Sequence, residues 1–205
     1  AKAPLAVREE GETLVVETLY GEKRLPRQTV LAERCRSCKT KKMACYDELL
    51  GEDGTDCGDG RMEGVRRLEA MTPDERFRFW QGELSRCIRC NACRNVCPAC
   101  SCEKCVFDNP ASGVENKAAA NSFEENLFHI IRAFHVAGRC TDCGECSRVC
   151  PQHIPLHLLN RKLIADMNEL YGPYQAGADL ESRPPLMDFR FDDPEPSTAR
   201  RGGAQ

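Results

Sequence analysis

The chain has 205 residues, with 29 lysines and arginines against 32 aspartates and glutamates, and a formal net charge of −3. A sequence pI near 5.9 leaves no basic footprint for nucleic acid, and no stretch approaches the roughly 18 uninterrupted apolar residues of a membrane span. Aromatic residues are only 6% and mean hydropathy is −0.52. Apolar material for a large core is therefore scarce, while 15 cysteines far exceed ordinary usage.

Residues Ala1 to Glu10 lack the apolar core of a secretory signal. With an odd cysteine count, this favours reduced thiols in a cytoplasmic, oxygen-poor setting over a disulfide framework. Thr13 to Tyr20 reads as a short strand ending at Gly21. Cys35, Cys38, Cys45 and Cys57 follow in a C-x2-C-x6-C-x11-C series, among basic residues first and acidic ones after. Four thiolates complete one metal site, and both zinc and an iron–sulfur cluster accept that donor set.

Thr72-Pro73-Asp74-Glu75 is a helix start, with Thr72 as N-cap, Pro73 at the first helical position and Glu75 closing a capping box. The helix leads to Cys87, and Phe77, Trp80 and Leu84 form a stripe expected to pack inward. Next comes C-x2-C-x2-C-x3-C-P at Cys87, Cys90, Cys93, Cys97 and Pro98, and the same run recurs at Cys140, Cys143, Cys146, Cys150 and Pro151. Three cysteines at intervals of three wrap a loop round one cube, and the proline steers the fourth away. In this motif the fourth cysteine ligates the other cluster. The expectation is two [4Fe-4S] clusters, one on Cys87, Cys90, Cys93 and Cys150, the other on Cys97, Cys140, Cys143 and Cys146. Zinc knuckles are the rival for paired cysteines, but they lack this tandem spacing.

Cys100, Cys102 and Cys105 make three further thiols. They either find a fourth ligand, such as His153 or another subunit, or pack as small hydrophobes beside the clusters. Ser122-Phe123-Glu124-Glu125 opens a second helix, with Phe123, Leu127, Phe128, Ile131 and Phe134 at helical spacing and Gly138 closing it. A third helix runs from Pro155, with Leu156, Leu159, Leu163, Met167 and Leu170 on one face and a stop at Gly172-Pro173. His129, His135 and His157 read as packing or surface residues. Arg89, Arg94, Arg139 and Arg148 lie near the motifs, where positive charge would raise cluster potentials. Beyond Tyr174 periodicity is lost. That stretch, with Leu186, Met187, Phe189 and Phe191, is either an arm docked on another subunit or a loose terminus.

The expected fold is mainly α with long loops: a bacterial two-cluster ferredoxin-like core with an inserted helix, a small N-terminal β/loop metal-binding region and an extended C-terminal arm. The corresponding divisions are residues 1–71, 72–172 and 173–205. At Thr72–Cys105 (TPDERFRFWQGELSRCIRCNACRNVCPACSCEKC) and His129–Leu163 (HIIRAFHVAGRCTDCGECSRVCPQHIPLHLLNRKL) the chain resembles the dicluster 4Fe-4S ferredoxin-like subunits of anaerobic oxidoreductase complexes. These accompany heterodisulfide-reductase-like, hydrogenase, formate dehydrogenase and benzoyl-CoA reductase-type systems. The resemblance implies a non-catalytic subunit passing single electrons between a flavin-bearing subunit and another redox subunit. A redox sensor and a metal-stabilised scaffold are the alternatives. With no nucleophile–base constellation, phosphate-cradling loop or dinucleotide fingerprint here, flavin or nicotinamide is expected in a partner chain.

Overall fold

The computed structural model describes residues 3–36, 38, 42–51, 58–109 and 122–187. At the N-terminus, β1 (Ala6–Glu10), β2 (Thr13–Thr18) and β3 (Gly21–Pro26) form an antiparallel meander in that order. Only β2 had a readable strand pattern. The strands β1 and β3 are mostly charged, and they pair through the backbone and through surface ion pairs such as Arg8 with Glu22 at 3.1 Å. Two one-turn helices follow, α1 (Arg27–Val30) and α2 (Glu33–Arg36).

A 3-10 turn at Gly58–Met62 leads into α3 (Glu63–Glu69), which buries Val65 and Leu68. Helix α4 (Pro73–Leu84) starts on the expected box: the Glu75 amide donates to Thr72 Oγ1 at 3.3 Å, and the Thr72 amide donates to Glu75 Oε2 at 2.9 Å. Leu84 is buried and Trp80 half-buried, but Phe77 is 61% exposed and does not join that stripe. The short α5 (Ala92–Asn95) sits inside the first cysteine motif and α7 (Glu145–Arg148) inside the second, with α6 (Ser122–His135) between them and α8 (Leu156–Tyr171) after.

Helix α6 matches its sequence reading at Phe128, which is buried, and Ile131, which packs on the core, and differs at the rest of the face. Leu127 is 39% and Phe134 61% exposed, whereas Phe128, His129, Arg132, Ala133 and Val136 are buried. The inward face thus carries a histidine and an arginine, because it meets cysteine loops rich in sulfur and carbonyl acceptors instead of an oily layer. Helix α8 buries Leu156, Leu158, Asn160, Arg161, Ile164 and Met167, and leaves Leu170 57% exposed. It packs on α3 closely: a Cβ at Gly64 would stand 2.7 Å from Leu158 Cδ2. The central core comprises Leu84, Phe107, Phe128, Ile154 and Leu156 together with Cys93 and Cys146, so the cysteine loops are part of the core itself. Among the described residues no helix is long and apolar enough to cross a membrane.

Candidate metal centres

The two motifs adopt matching backbone paths. Arg89 (φ 53°) and Asp142 (φ 57°) hold the same place in each loop, as do Asn91 (φ 60°) and Gly144 (φ 69°), each followed by a one-turn helix. Positive φ at non-glycine residues costs about 1–3 kcal/mol each and persists where a site over-determines it. Here it brings the Arg89 amide to Cys87 Sγ and the Asp142 amide to Cys140 Sγ, both at 3.4 Å. Gly144 replaces the first loop's asparagine for a further reason: a Cβ there would lie 2.8 Å from Arg34 Cβ.

Two cavities result. One is lined by Cys87, Cys90, Cys93 and Cys150, with Phe128, His129 and Ile154 behind them. The other is lined by Cys97, Cys140, Cys143 and Cys146, with His157 and Asn160. Each loop therefore lends its fourth cysteine to the other's cavity. None of the 14 described cysteines is in a disulfide. Among the described residues, no three His, Cys, Asp or Glu side chains converge closely enough for a single metal ion. Each quartet lines one cavity, and the tandem spacing is that of [4Fe-4S] ligation.

The surroundings are built for sulfur. His129 is 1% exposed and its Nε2 lies 3.2 Å from Cys87 Sγ. Burial, with Arg132 and Arg89 nearby, drops its pKa to about 3, so the ring is neutral. Its Nδ1 has no partner. The ring is best satisfied with the proton on Nε2, donating to sulfur, because an orphaned lone pair costs less than an orphaned N–H. On the other side Asn160 Nδ2 reaches Cys146 Sγ at 3.7 Å. Burial pushes the thiols of Cys93 and Cys146 up and that of Cys140 up to about 12. Iron at these positions must displace protons.

A buried ionic network locks the second loop. Asp142 accepts from Arg161 Nε at 2.8 Å and Arg61 Nη1 at 3.0 Å, all three side chains being at most 6% exposed. Arg61 also donates to Gln175 Oε1 at 2.7 Å, and Gln175 Nε2 donates to the Cys140 carbonyl at 3.2 Å. Ser147 ties the same loop to α8, accepting from the His157 amide at 2.9 Å and hydrogen-bonding its Nδ1 at 2.9 Å.

Of the arginines expected near the clusters, Arg94 is paired with Asp108 at 2.8 Å and Arg148 with Glu145 at 2.7 Å, and Arg139 is exposed and donates to the His135 carbonyl. Arg89 lines the first cavity and lies 4.0 Å over the Phe128 ring. Sequence reading missed Arg132, Asp142, Asn160 and the sulfur contact of His129. The periodicity of α6 pointed to other residues, and the outlying Asp142 gave a signal only as a polar residue at a glycine-like backbone position.

Cys100, Cys102 and Cys105 line one open cleft with His135, while the exposed His153 lines another with Arg34, Arg148 and His157. Cys100 donates its S–H to Cys97, which holds the Cys97 thiol below its usual range and its own above. In the N-terminal group Cys35 lies on α2, Cys45 is exposed and Cys57 falls outside the described residues. Phe189 and Phe191 also fall outside them, as does the side chain of Leu186; Met187 is 71% exposed.

A helical core threaded by two four-cysteine loops that exchange their last cysteine is that of a ferredoxin-like domain for two [4Fe-4S] clusters. Residues 83–154 match the 4Fe-4S dicluster domain family, and the chain carries such a domain. The F420-dependent formate dehydrogenase subunit beta of Methanocaldococcus jannaschii is 32% identical over 110 residues, covering 54% of this chain and 28% of that protein. A subunit of the same description from Methanococcus maripaludis, F420-dependent formate dehydrogenase 1 subunit beta, is 33% identical over 107 residues, 52% of this chain and 26% of the relative. The succinate dehydrogenase iron-sulfur subunit of Bacillus subtilis is 33% identical over 99 residues, 46% of this chain and 39% of the relative. The chain spans between a quarter and two fifths of the length of these relatives.

Proposed function

We propose that the chain is a non-catalytic electron-transfer subunit, relaying single electrons between a flavin-bearing subunit and another redox subunit of a cytoplasmic oxidoreductase complex. Cys87, Cys90, Cys93 and Cys150 hold one cluster in this reading, and Cys97, Cys140, Cys143 and Cys146 the other. When bound, each cluster supplies a one-electron acceptor and donor. The chain's own residues position and insulate these centres: Cys93 and Cys146 meet in the core, and His129 and Asn160 supply N–H donors to sulfur. The observation that carries the reading is the exchange of fourth cysteines between the two cavities, which supports two closely linked centres. The chain's similarity to subunits of formate and succinate dehydrogenases supports membership of a larger complex.

Cys35, Cys38, Cys45 and Cys57 would hold a third centre, iron–sulfur or zinc, in an N-terminal region of residues 1–71. The dicluster domain would span 72–172 and an arm for another subunit 173–205. Anaerobic reconstitution with iron and sulfide, followed by metal analysis and redox titration by electron paramagnetic resonance, tests the reading. About eight irons in reducible, magnetically coupled clusters are expected, and about twelve with a third cube. Two redox-silent zinc ions in the tandem motifs would overturn the relay.

A further inference from the structure

Arg132 sits where both cavities can feel it. Its side chain comes from α6 and is 3% exposed, and Nη2 donates to the Cys93 carbonyl at 3.1 Å. Its charge acts on Cys93 of the first cavity, on Cys146 and Cys97 of the second, and on Cys100 beside them. Among the described residues no carboxylate pairs with it, and its Nε has no hydrogen-bond partner. Every other deeply buried arginine in the described core has an acid: Arg61 and Arg161 share Asp142.

Removing a guanidinium from water without a counter-ion is costly even after relaxation. Such a group survives where the missing negative charge normally resides. A cube held by four thiolates is negative and becomes more so on reduction. We propose that Arg132 is the shared counter-charge of the two clusters, raising both reduction potentials together. The inference rests on the crossed ligation proposed above. Because the Arg132 side chain is buried, the interaction is weakly screened. A cation that acts on cysteines of both centres, instead of on one alone, stabilises the electron on either and keeps the hop between them from running steeply downhill.

The experiment compares wild type, Arg132→Gln and Arg132→Lys after anaerobic reconstitution, reading iron and sulfide content and both midpoint potentials by electron paramagnetic resonance titration. Full loading with both potentials of Arg132→Gln moved negative, and those of Arg132→Lys lying nearer wild type, is the expected result. A loaded Gln variant with unchanged potentials, or with one cluster moved alone, overturns the inference. Should the Gln variant fail to load, the Lys variant decides. Its loading supports a requirement for charge, and its failure as well reduces Arg132 to a hydrogen-bonding strut. Absence of two clusters from the wild type would instead sink the relay reading itself.

Discussion

Asp142 shows how much one side chain holds here. It is a buried carboxylate facing two buried guanidiniums, so removing its charge leaves both arginines uncompensated. Breaking a buried pair in this way costs about 3–5 kcal/mol. Asn tolerates the left-handed backbone that Asp142 adopts, which isolates the charge from the loop geometry. Asp142→Asn is therefore expected to lower stability by about that amount, read as a shifted denaturation midpoint, and to weaken the second cluster before the first. A variant as stable as wild type would show that solvent compensates the network. His129 makes the complementary point: it reads as a packing histidine in sequence, and it is indeed packed against Phe128, yet its other edge meets sulfur.

Among the elements, α4 was the most legible, since its start is written in four consecutive residues. Thr72 closes its box with Glu75, whose carboxyl is held below its ordinary 4.5 by the Thr72 hydroxyl and amide. A lowered carboxylate pKa means the contribution is present above about 4.5 and is lost as pH falls below the native value. Thr72→Ala should cost about 1 kcal/mol, seen as faster amide exchange in the first turn of α4 with the cluster spectra unchanged. Equal exchange in both proteins would refute it. Helix α6 was legible in position but only in part in orientation. Of the residues at helical spacing, Phe128 is buried and Ile131 packs on the core, yet Leu127 and Phe134 are exposed and the helix turns so that His129 and Arg132 also face inward. Hydrophobic period finds the apolar stripe, and it cannot foresee that the opposing surface is made of thiols and carbonyls. Strands β1 and β3 escaped for a different reason: pairing with β2 uses backbone groups that carry no sequence signature, and only Val15 is fully buried in the sheet.

For the whole molecule, the small apolar core encloses its cysteine loops instead of lying apart from them. Iron removal by an anaerobic chelator should therefore melt α5 to α8 together, since metal-binding free energy is folding free energy in such domains. Near-ultraviolet circular dichroism and amide exchange would register the loss, and a chelated chain with its native melting curve would contradict it. Thiol ionisation adds a pH dependence. Buried Cys140 titrates at about 12 against an ordinary 9.0, so the metal-free fold keeps its full share of that stability below pH 9 and loses it as pH rises toward 12. Loading runs the other way: because iron displaces thiol protons, lower pH opposes it.

The sequence by itself determined the chemistry. Cysteine spacing is a local property, and eight thiols at those intervals with a proline after each quartet admit few partners besides two cubes. Tertiary structure alone decided what surrounds them. The contacts of Arg61, His129, Arg132 and Asn160 with the cysteine loops join residues between 14 and 81 positions apart or depend on how a helix is rotated. Neither long-range contact nor helix rotation is encoded in any short pattern, because both follow from packing the whole chain round its two centres.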